Sequence, residues 1–238
     1  MCFHNSIHKK AKVIQNRYKA NFLNAEIFVP IYHGNGFNFP KWPVITYDKK
    51  DCIQLFDWGL IPSWVKSKGQ ATEIKLNTLN ARSETVFEKP SFRVAAKKNR
   101  CIVPSTGFFE WQTLNNKKYP FFIYPEQDDF FSFAGIWEEW LDKETGELIK
   151  TFSILTTQAN PLLTKIHNTK QRMPVILPEH LESDWLNPNI SQEDVMAFCI
   201  PFDAKLMKAH TVSRLITSRT ELSNVPGVQE EYKYVELV

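Results

Sequence analysis

The segment that decides the fold runs from residue 100 to residue 157 and contains RCIVPSTGFFEWQ (100–112), YPFFIYP (119–125), FFSFAGIWEEW (130–140) and KTFSILTT (150–157). All four stretches are rich in β-branched and aromatic residues, which is typical of strands. KETGE (143–147) separates the last two and predicts a hairpin turn. Consecutive strands joined by short turns indicate a β-rich core.

The flanking segments add further strands and several short helices. Strands are also predicted in EIFVPIY (26–32), PVITY (43–47), CIQLF (52–56), RMPVILP (172–178) and AHTVSRLI (209–216). Helices are predicted in KKAKVIQNRYKANF (9–22), in two pieces of NARSETVFEKPSFRVAAKKNR (80–100) divided before Pro90, in NPLLTKI (160–166), in PEHLESDWL (178–186) and in SQEDVMAF (191–198). Because no repeat or linker interrupts the chain, the sequence predicts one α+β domain over residues 1–238, with helices at the periphery.

Composition limits the classes of function without choosing among them. The 238 residues carry a net charge of +3, which permits a polyanionic partner but does not require one. No apolar run approaches the roughly 20 residues of a membrane span, and the polar start has no signal-peptide core, so a cytoplasmic protein (nuclear if eukaryotic) is expected. The four cysteines form no CxxC pair, and no metal or other cofactor is expected.

Cys2 directly follows the initiator methionine. If Met1 is removed, Cys2 carries a thiol and a free α-amine on neighbouring carbon atoms, a pair that only an N-terminal cysteine can offer. Cys2 is either incidental at this position or functional, and the other polar residues of the sequence distinguish these two interpretations.

Two stretches allow both a structural and a DNA-binding interpretation. In FDWGLIPSW (56–64), Trp64 is either a core aromatic under a turn or a platform on which a nucleobase stacks. In LNARSET (79–85), Asn80 is either a helix N-cap completed by Ser83 or Glu84, or a residue that orients a substrate while Arg82 binds a phosphate.

Two further residues are candidates for proton transfer. In STGFFEWQ (105–112), strand alternation puts Glu110 on the same face as Phe108 and opposite Phe109 and Trp111. Glu110 is then either solvent-facing or a desolvated carboxyl whose raised pKa suits a general acid or base. His167, in KIHNTKQRMPVIL (165–177), ends a helix beside a basic loop and is either structural or a proton-transfer group.

Taken together, these stretches resemble the SRAP (SOS response-associated peptidase) family of abasic-site-processing proteins. The matching blocks are Met1-Cys2, WGLIPSW (58–64), NARSET (80–85), STGFFEW (105–111), FAGIW (133–137), TTQAN (156–160), IHNTKQRMPVIL (166–177) and HTVSR (210–214). They follow the family order over nearly the whole chain. The resemblance implies a β-barrel-like core of antiparallel sheets with helices outside.

The resemblance also implies a reaction and its catalytic residues. Proteins of this family bind single-stranded DNA and attach covalently to the ring-opened sugar of an abasic site through an N-terminal cysteine. Carried over by motif, Cys2 would be the nucleophile that ends in a thiazolidine, and Asn80 would orient it. Glu110 and His167 would transfer protons. No metal or cofactor is implied, and a peptidase activity that exposes Cys2 is associated with the family.

The DNA contacts follow from the same motifs. Arg82 and Arg172 would hold phosphates, while Trp64 and Pro40 would meet bases beside the lesion. The expected partner is therefore single-stranded DNA that contains an abasic site, bound by a monomer in the cytoplasm, at the nucleoid, or in the nucleus of a eukaryote.

Two departures from the family pattern bear on the site. The family usually begins Met-Cys-Gly-Arg, whereas Phe3 and His4 follow Cys2 here, so the arginine's phosphate contact has no counterpart. The family's His-x-Arg spacing is lengthened by NTKQ between His167 and Arg172, which affects the assignment of Arg172 more than that of His167.

Two other functions compete with DNA crosslinking. One is a cysteine hydrolase in which the Cys2 thiol attacks an amide with His167 or Glu110 as base. The other is a single-strand-binding module in which Cys2 is incidental.

Overall fold

The computed structural model describes residues 2–237. Its strands are β1 His4–Ile7, β2 Asn21–Phe22, β3 Ile31–Asn35, β4 Lys41–Thr46, β5 Lys49–Trp58, β6 Asn80–Arg82, β7 Arg100–Ser105, β8 Gly107–Leu114, β9 Lys117–Pro125, β10 Phe131–Leu141, β11 Leu148–Gln158, β12 Arg172–Pro174, β13 Ile176–Leu177 and β14 Met207–Thr211. The α-helices are α1 Ala11–Tyr18, α2 Lys68–Lys75, α3 Arg93–Lys98, α4 Pro161–Ile166, α5 Glu182–Leu186 and α6 Gln192–Ala197.

Strands β5, β4, β7, β10 and β11 close into a barrel in that order. The first four pairings are antiparallel, and the ring is completed by a parallel contact in which Phe152 of β11 lies opposite Trp58 of β5. A ring with an odd number of strands cannot alternate direction all the way round, so one parallel seam is required. The predicted α+β fold with a barrel-like core is confirmed, and the four stretches between residues 100 and 157 supply β7 to β11.

A second, antiparallel sheet has the order β14-β9-β8-β1-β3 and brings the amino terminus into the interior. Strand β1 lies between β3 and β8, and His4 faces Phe109 of β8 across the ladder. Gly107 starts β8 with φ +154°, and a Cβ there would lie 2.5 Å from the Phe122 ring. The close approach of β9 therefore requires glycine at the junction between barrel and second sheet.

The helices agree with the sequence patterns at several places. Helix α4 begins at Pro161 with Asn160 as its N-cap, and α6 begins after Ser191, whose capping box with Asp194 is complete. Helix α1 buries Ile14 but ends at Tyr18, because Lys19 adopts a left-handed conformation (φ 50°). Within residues 2–237, no helix is long and apolar enough to cross a membrane.

Three predicted elements differ in the structure. The start of NARSET is the strand β6, not a helix, because residues 80–82 pair with residues 154–156 of β11 and this non-local ladder overrides local propensity. Part of EIFVPIY is a 3₁₀ turn (Ala25–Ile27), so β3 starts only at Ile31. The late strand β14 stops at Thr211, and Arg214–Thr217 form a 3₁₀ helix.

The buried tryptophans fill the core and satisfy their own polar atoms. The indole N–H groups of Trp42, Trp58, Trp140 and Trp185 each donate a hydrogen bond of 2.7–2.9 Å to a backbone carbonyl. A buried indole without such a partner would lose the hydrogen bond that it makes with water. These contacts therefore tie the barrel wall to the loops and helices around it.

Arg100 connects two helix ends to the barrel. Only 1% of its surface is exposed, and its guanidinium donates to backbone carbonyls of Ala96, Lys97, Trp185 and Asn187. Replacing Arg100 with leucine leaves these carbonyls unpaired, so we expect a loss of about 3 kcal/mol in the free energy of unfolding.

Urea denaturation measures this loss. The matched control is Arg93→Leu, because Arg93 is exposed on α3; its effect should stay within about 0.5 kcal/mol. Equal unfolding midpoints for the two variants would contradict the role of Arg100.

Candidate active site

A cavity of about 440 Å3 opens beside the N-terminal strand, where β8 and the segment after α4 approach each other. Six of the side chains that line it are Phe3, His4, Arg82, Glu110, Trp111 and His167. His4, the first residue of β1, pairs with Phe109 of β8, so Cys2 lies close to the strand that carries Glu110 and within range of its charge. The structure thus brings the N-terminal segment to the predicted proton-transfer residues, which lie more than a hundred positions away in sequence.

Cys2 is fully buried. Its thiol donates a weak hydrogen bond of 3.8 Å to the carbonyl oxygen of His4. Burial raises the pKa of the thiol well above its ordinary value, and the charge of the Glu110 carboxylate raises it further. Cys2 is therefore held as a neutral thiol, close enough to Glu110 to sense its charge.

Glu110 and His167 form a buried pair. The Nε2 atom of His167 lies 3.5 Å from Oε2 of Glu110. The other ring nitrogen of His167, Nδ1, donates to the carbonyl oxygen of Arg172 at 2.9 Å. That bond places the proton of a neutral ring on Nδ1 and leaves Nε2 as an acceptor facing the carboxyl group.

The pKa values of this pair are displaced in opposite directions. Burial raises the pKa of Glu110 to about 8. Burial also lowers the pKa of His167 to about 4. Near pH 7 the contact is therefore a neutral acid beside a neutral base and not an ion pair, which is the arrangement that lets a carboxyl group act as a general acid.

The raised pKa of Glu110 predicts a pH dependence of stability. Its folded-state pKa exceeds the unfolded value, so its contribution is present at acidic pH and is lost as the pH rises toward 8. We expect the stability of the wild type relative to Glu110→Gln to fall by about 3 kcal/mol between pH 5 and pH 8. Urea denaturation of both proteins across this range measures the difference, and a pH-independent difference would contradict the assignment. His167 is present in both proteins, so its own titration largely cancels.

Asn80 and Arg82 point to one side of β6. Residues two apart on a strand share a face, and Arg82 is exposed and lines the cavity. Asn80 is 8% exposed, and neither atom of its side-chain amide has a hydrogen-bond partner within residues 2–237. The helix-cap interpretation of Asn80 is wrong because the residue lies in a strand.

Arg172 lies at the cavity, but its guanidinium already has partners. It forms a two-pronged contact with the carboxylate of Glu84 and donates to the carbonyl oxygen of Thr156 at 2.6 Å. The predicted phosphate contact of Arg172 would require this pair to open. Exposed Lys118 and Lys170, which also line the cavity, are available cations.

The NTKQ stretch forms a compact turn that helps to build the cavity wall. The side chain of Asn168 accepts a hydrogen bond from the backbone N–H of Thr113 at 3.0 Å and donates to its carbonyl at 2.8 Å. Gln171 adopts φ 51° and its N–H donates to the carbonyl of His167. These bonds anchor the lengthened loop to β8 and keep His167 beside Glu110.

Trp64 and Pro40 do not line this cavity. Trp64 is 52% exposed, so the core interpretation of this residue is wrong, and its indole N–H donates to the carbonyl of Pro90 at 3.3 Å. Pro40 is half-buried, and its carbonyl accepts from the backbone of Trp58. Their contacts with DNA bases stay predictions.

Polar groups that no sequence motif indicates lie behind His4. Nδ1 of His4 lies 2.8 Å from Nε2 of His33, and the His4 ring makes a T-shaped contact with Trp111. Phe3 turns toward Phe37, with the ring centroids 4.9 Å apart. The second histidine, 29 positions away, carries no local signal that could have linked it to the amino terminus.

Comparison with known proteins places this site in a family. The chain is 42% identical over 203 residues to the abasic site processing protein YoqW of Bacillus subtilis, covering 82% of this chain and 87% of that protein. It is 31% identical over 189 residues to the abasic site processing protein HMCES of Mus musculus, covering 68% of this chain and 52% of that protein. A crystal structure of a protein from Bacteroides thetaiotaomicron superposes with a TM-score of 0.91 at 44% identity, covering 98% of this chain and all of that one.

The family described as SOS response associated peptidase (SRAP) matches residues 1–219, which include all the candidate site residues. The extent of this match and the identity to the curated relatives support one assignment. The chain belongs to the SRAP family.

Proposed function

We propose that this protein processes abasic sites by binding single-stranded DNA and bonding covalently to the ring-opened sugar through Cys2 after Met1 is removed. The similarity to the abasic site processing proteins YoqW and HMCES supports abasic-site processing. The observation that carries the proposal is that buried Cys2 lies within range of the charge of Glu110, which is paired with His167. A terminal aminothiol beside an acid and a base is suited to trapping an aldehyde.

The first steps form an imine. His167 moves a proton from the C1 hydroxyl to the ring oxygen and thereby opens the sugar to its aldehyde. The α-amine of Cys2, with an ordinary pKa of roughly 7.7–8.0, is partly neutral at pH 7 and attacks the aldehyde carbon. Glu110, which holds a proton at this pH, donates it to the departing hydroxyl, water leaves, and the resulting carboxylate takes up the remaining N–H proton to give the neutral imine.

The last step closes a ring. The Cys2 sulfur bonds to the imine carbon, the thiol proton transfers to the imine nitrogen, and a five-membered thiazolidine results. A neutral thiol suits this step because the proton that it loses is the one that the nitrogen gains. Closure is intramolecular, so proximity supplies much of its rate.

DNA binding in this proposal relies on charge and stacking. Arg82, Lys118 and Lys170 contact phosphates around the cavity, while exposed Trp64 and half-buried Pro40 contact bases. Arg172 joins them only if it leaves Glu84. Such contacts do not read the base sequence. Because the phosphate contacts are electrostatic, the affinity for DNA should fall steeply with salt. The protein acts as a monomer on DNA in the cytoplasm or nucleus.

One observation weighs against a general cysteine hydrolase. Hydrolases attack with a thiolate and lower the pKa of its thiol, whereas burial raises the pKa of Cys2 here. We therefore do not propose a general peptidase activity that uses the Cys2 thiol as nucleophile.

The test is a crosslinking assay. Protein with Met1 removed is mixed with single-stranded DNA that bears one abasic site and with the same strand lacking the lesion, and both are run on a denaturing gel. A slow-migrating species is expected only with the lesion. No such species with either DNA would refute covalent processing and leave only a binding module.

A further inference from the structure

A chain of hydrogen bonds leads from His4 to the surface. Nδ1 of His4 lies 2.8 Å from Nε2 of His33, and Nδ1 of His33 lies 2.8 Å from the hydroxyl oxygen of Ser223. Both contacts are short enough for direct proton transfer between neighbouring groups. The second ring nitrogen of His4, Nε2, has no hydrogen-bond partner among the described residues.

This row of hydrogen bonds connects two cavities. His4 lines the candidate site and also a neighbouring groove of about 540 Å3, and His33 and Ser223 line the groove. Between the two, His33 is only 7% exposed, while Ser223 is half-exposed. A proton that enters at His4 would therefore reach solvent at Ser223 through a buried histidine.

The hydrogen-bonded side chains are held in position by ring packing and by hydrogen bonds to the backbone. The rings of His4 and Trp111 make a T-shaped contact with their centroids 4.8 Å apart. The side-chain oxygen of Asn224 accepts from the backbone N–H groups of Tyr32 and His33 and so fixes the loop that carries Ser223 to β3.

The protonation state of the two rings fits a relay. Burial lowers the pKa of His4 to about 3 and that of His33 to about 4, so both are neutral at pH 7. A neutral imidazole has one donor and one acceptor nitrogen, which is the condition for passing a proton along a chain without leaving charge on it.

We propose that His4, His33 and Ser223 form a proton wire that carries a proton between the candidate active site and the solvent of the neighbouring groove. The inference rests on the proposed function and adds His4 as a further group facing the reaction. His33 and Ser223 act through His4 and are positioning residues.

The proposed reaction releases one proton, which the wire carries to solvent. Most α-amine is protonated at pH 7, and an α-ammonium, a thiol and an aldehyde yield a neutral thiazolidine, one water and one proton. Nε2 of His4 accepts that proton while its Nδ1 proton passes to Nε2 of His33. The Nδ1 proton of His33 passes to Ser223, whose own hydroxyl proton leaves to water. All three groups end neutral, with the rings in the opposite tautomer.

The test measures the single-turnover rate of adduct formation with abasic single-stranded DNA in dilute buffer and with added imidazole. His33→Gln breaks the wire, and Ser223→Ala removes its outer end without touching the histidine pair. We expect His33→Gln to be about tenfold slower in dilute buffer, with the loss recovered by imidazole, which can carry the proton in its place. Ser223→Ala should show the same dependence on imidazole.

The wild type and the control His180→Gln, an exposed histidine, should be insensitive to imidazole. Wild-type rates in both wire variants, or a loss that imidazole does not restore, would overturn the wire. Absence of any adduct from the wild type would instead refute the proposed function, so the two failures are distinguishable.

Discussion

Replacing Cys2 with alanine is expected to abolish the denaturation-resistant adduct with abasic single-stranded DNA. Once Met1 is removed, the variant keeps an α-amine at the same place but has no thiol. It can form the imine, which water reverses on denaturation, but it cannot close the thiazolidine. Borohydride added during the reaction should therefore trap the Cys2→Ala protein on the DNA, although heat alone releases it.

The matched control is Cys101→Ala. Cys101 is also fully buried, and its thiol pKa is also raised by burial, but it lies in β7 of the barrel. This variant loses a comparable buried group and should retain the full adduct. A heat-stable adduct from Cys2→Ala, or its loss from Cys101→Ala at unchanged folding, would contradict the role of Cys2.

Removing either member of the Glu110–His167 pair is expected to slow adduct formation by about 100-fold. Glu110→Gln keeps the shape of the side chain but holds no transferable proton. His167→Asn can still bond to the carbonyl of Arg172 but offers no basic nitrogen to Glu110. In the proposed mechanism the two groups perform successive proton transfers, and their side chains lie 3.5 Å apart. The rate loss of the double variant should therefore be smaller than the product of the two single rate losses.

Single-turnover rates on a denaturing gel measure these effects. His210→Asn is the control, since His210 is half-buried and its Nε2 bonds to a backbone carbonyl, that of Gln229, outside the cavity. Its rate should match the wild type. Wild-type rates in both Glu110→Gln and His167→Asn would remove the pair from the mechanism.

Local patterns predicted much of the barrel. Strands β7 to β11 follow from β-branched and aromatic runs, and the predicted alternation agrees with the packing of Phe108 in the main core and of Phe109 with Trp111 in a second cluster. The helix starts at Asn160 and Ser191 follow from capping residues. By contrast, the strand at Asn80 is set by pairing with Ile154, a partner 74 positions away that local propensity cannot reveal.

Local sequence patterns also fail to reveal the long-range contacts of the candidate site. Cys2, Asn80, Glu110 and His167 are predicted through motif resemblance, and the structure places Cys2 within range of the charge of Glu110, which lies 3.5 Å from His167. The attachment of Arg172 to Glu84 spans 88 positions and depends on how β12 docks on β11. Such long-range polar contacts have no periodicity in the sequence, so only the folded chain shows them.

The most direct test of the account is a map of the covalent linkage. The purified adduct is digested with protease and nuclease, treated with a thiol-alkylating reagent and analysed by mass spectrometry. We predict a modified peptide that begins at Cys2, carries the sugar remnant and resists alkylation, because nitrogen and sulfur are both in the ring. A remnant on Lys118 or Lys170, or a Cys2 thiol that still alkylates, would contradict the proposed thiazolidine.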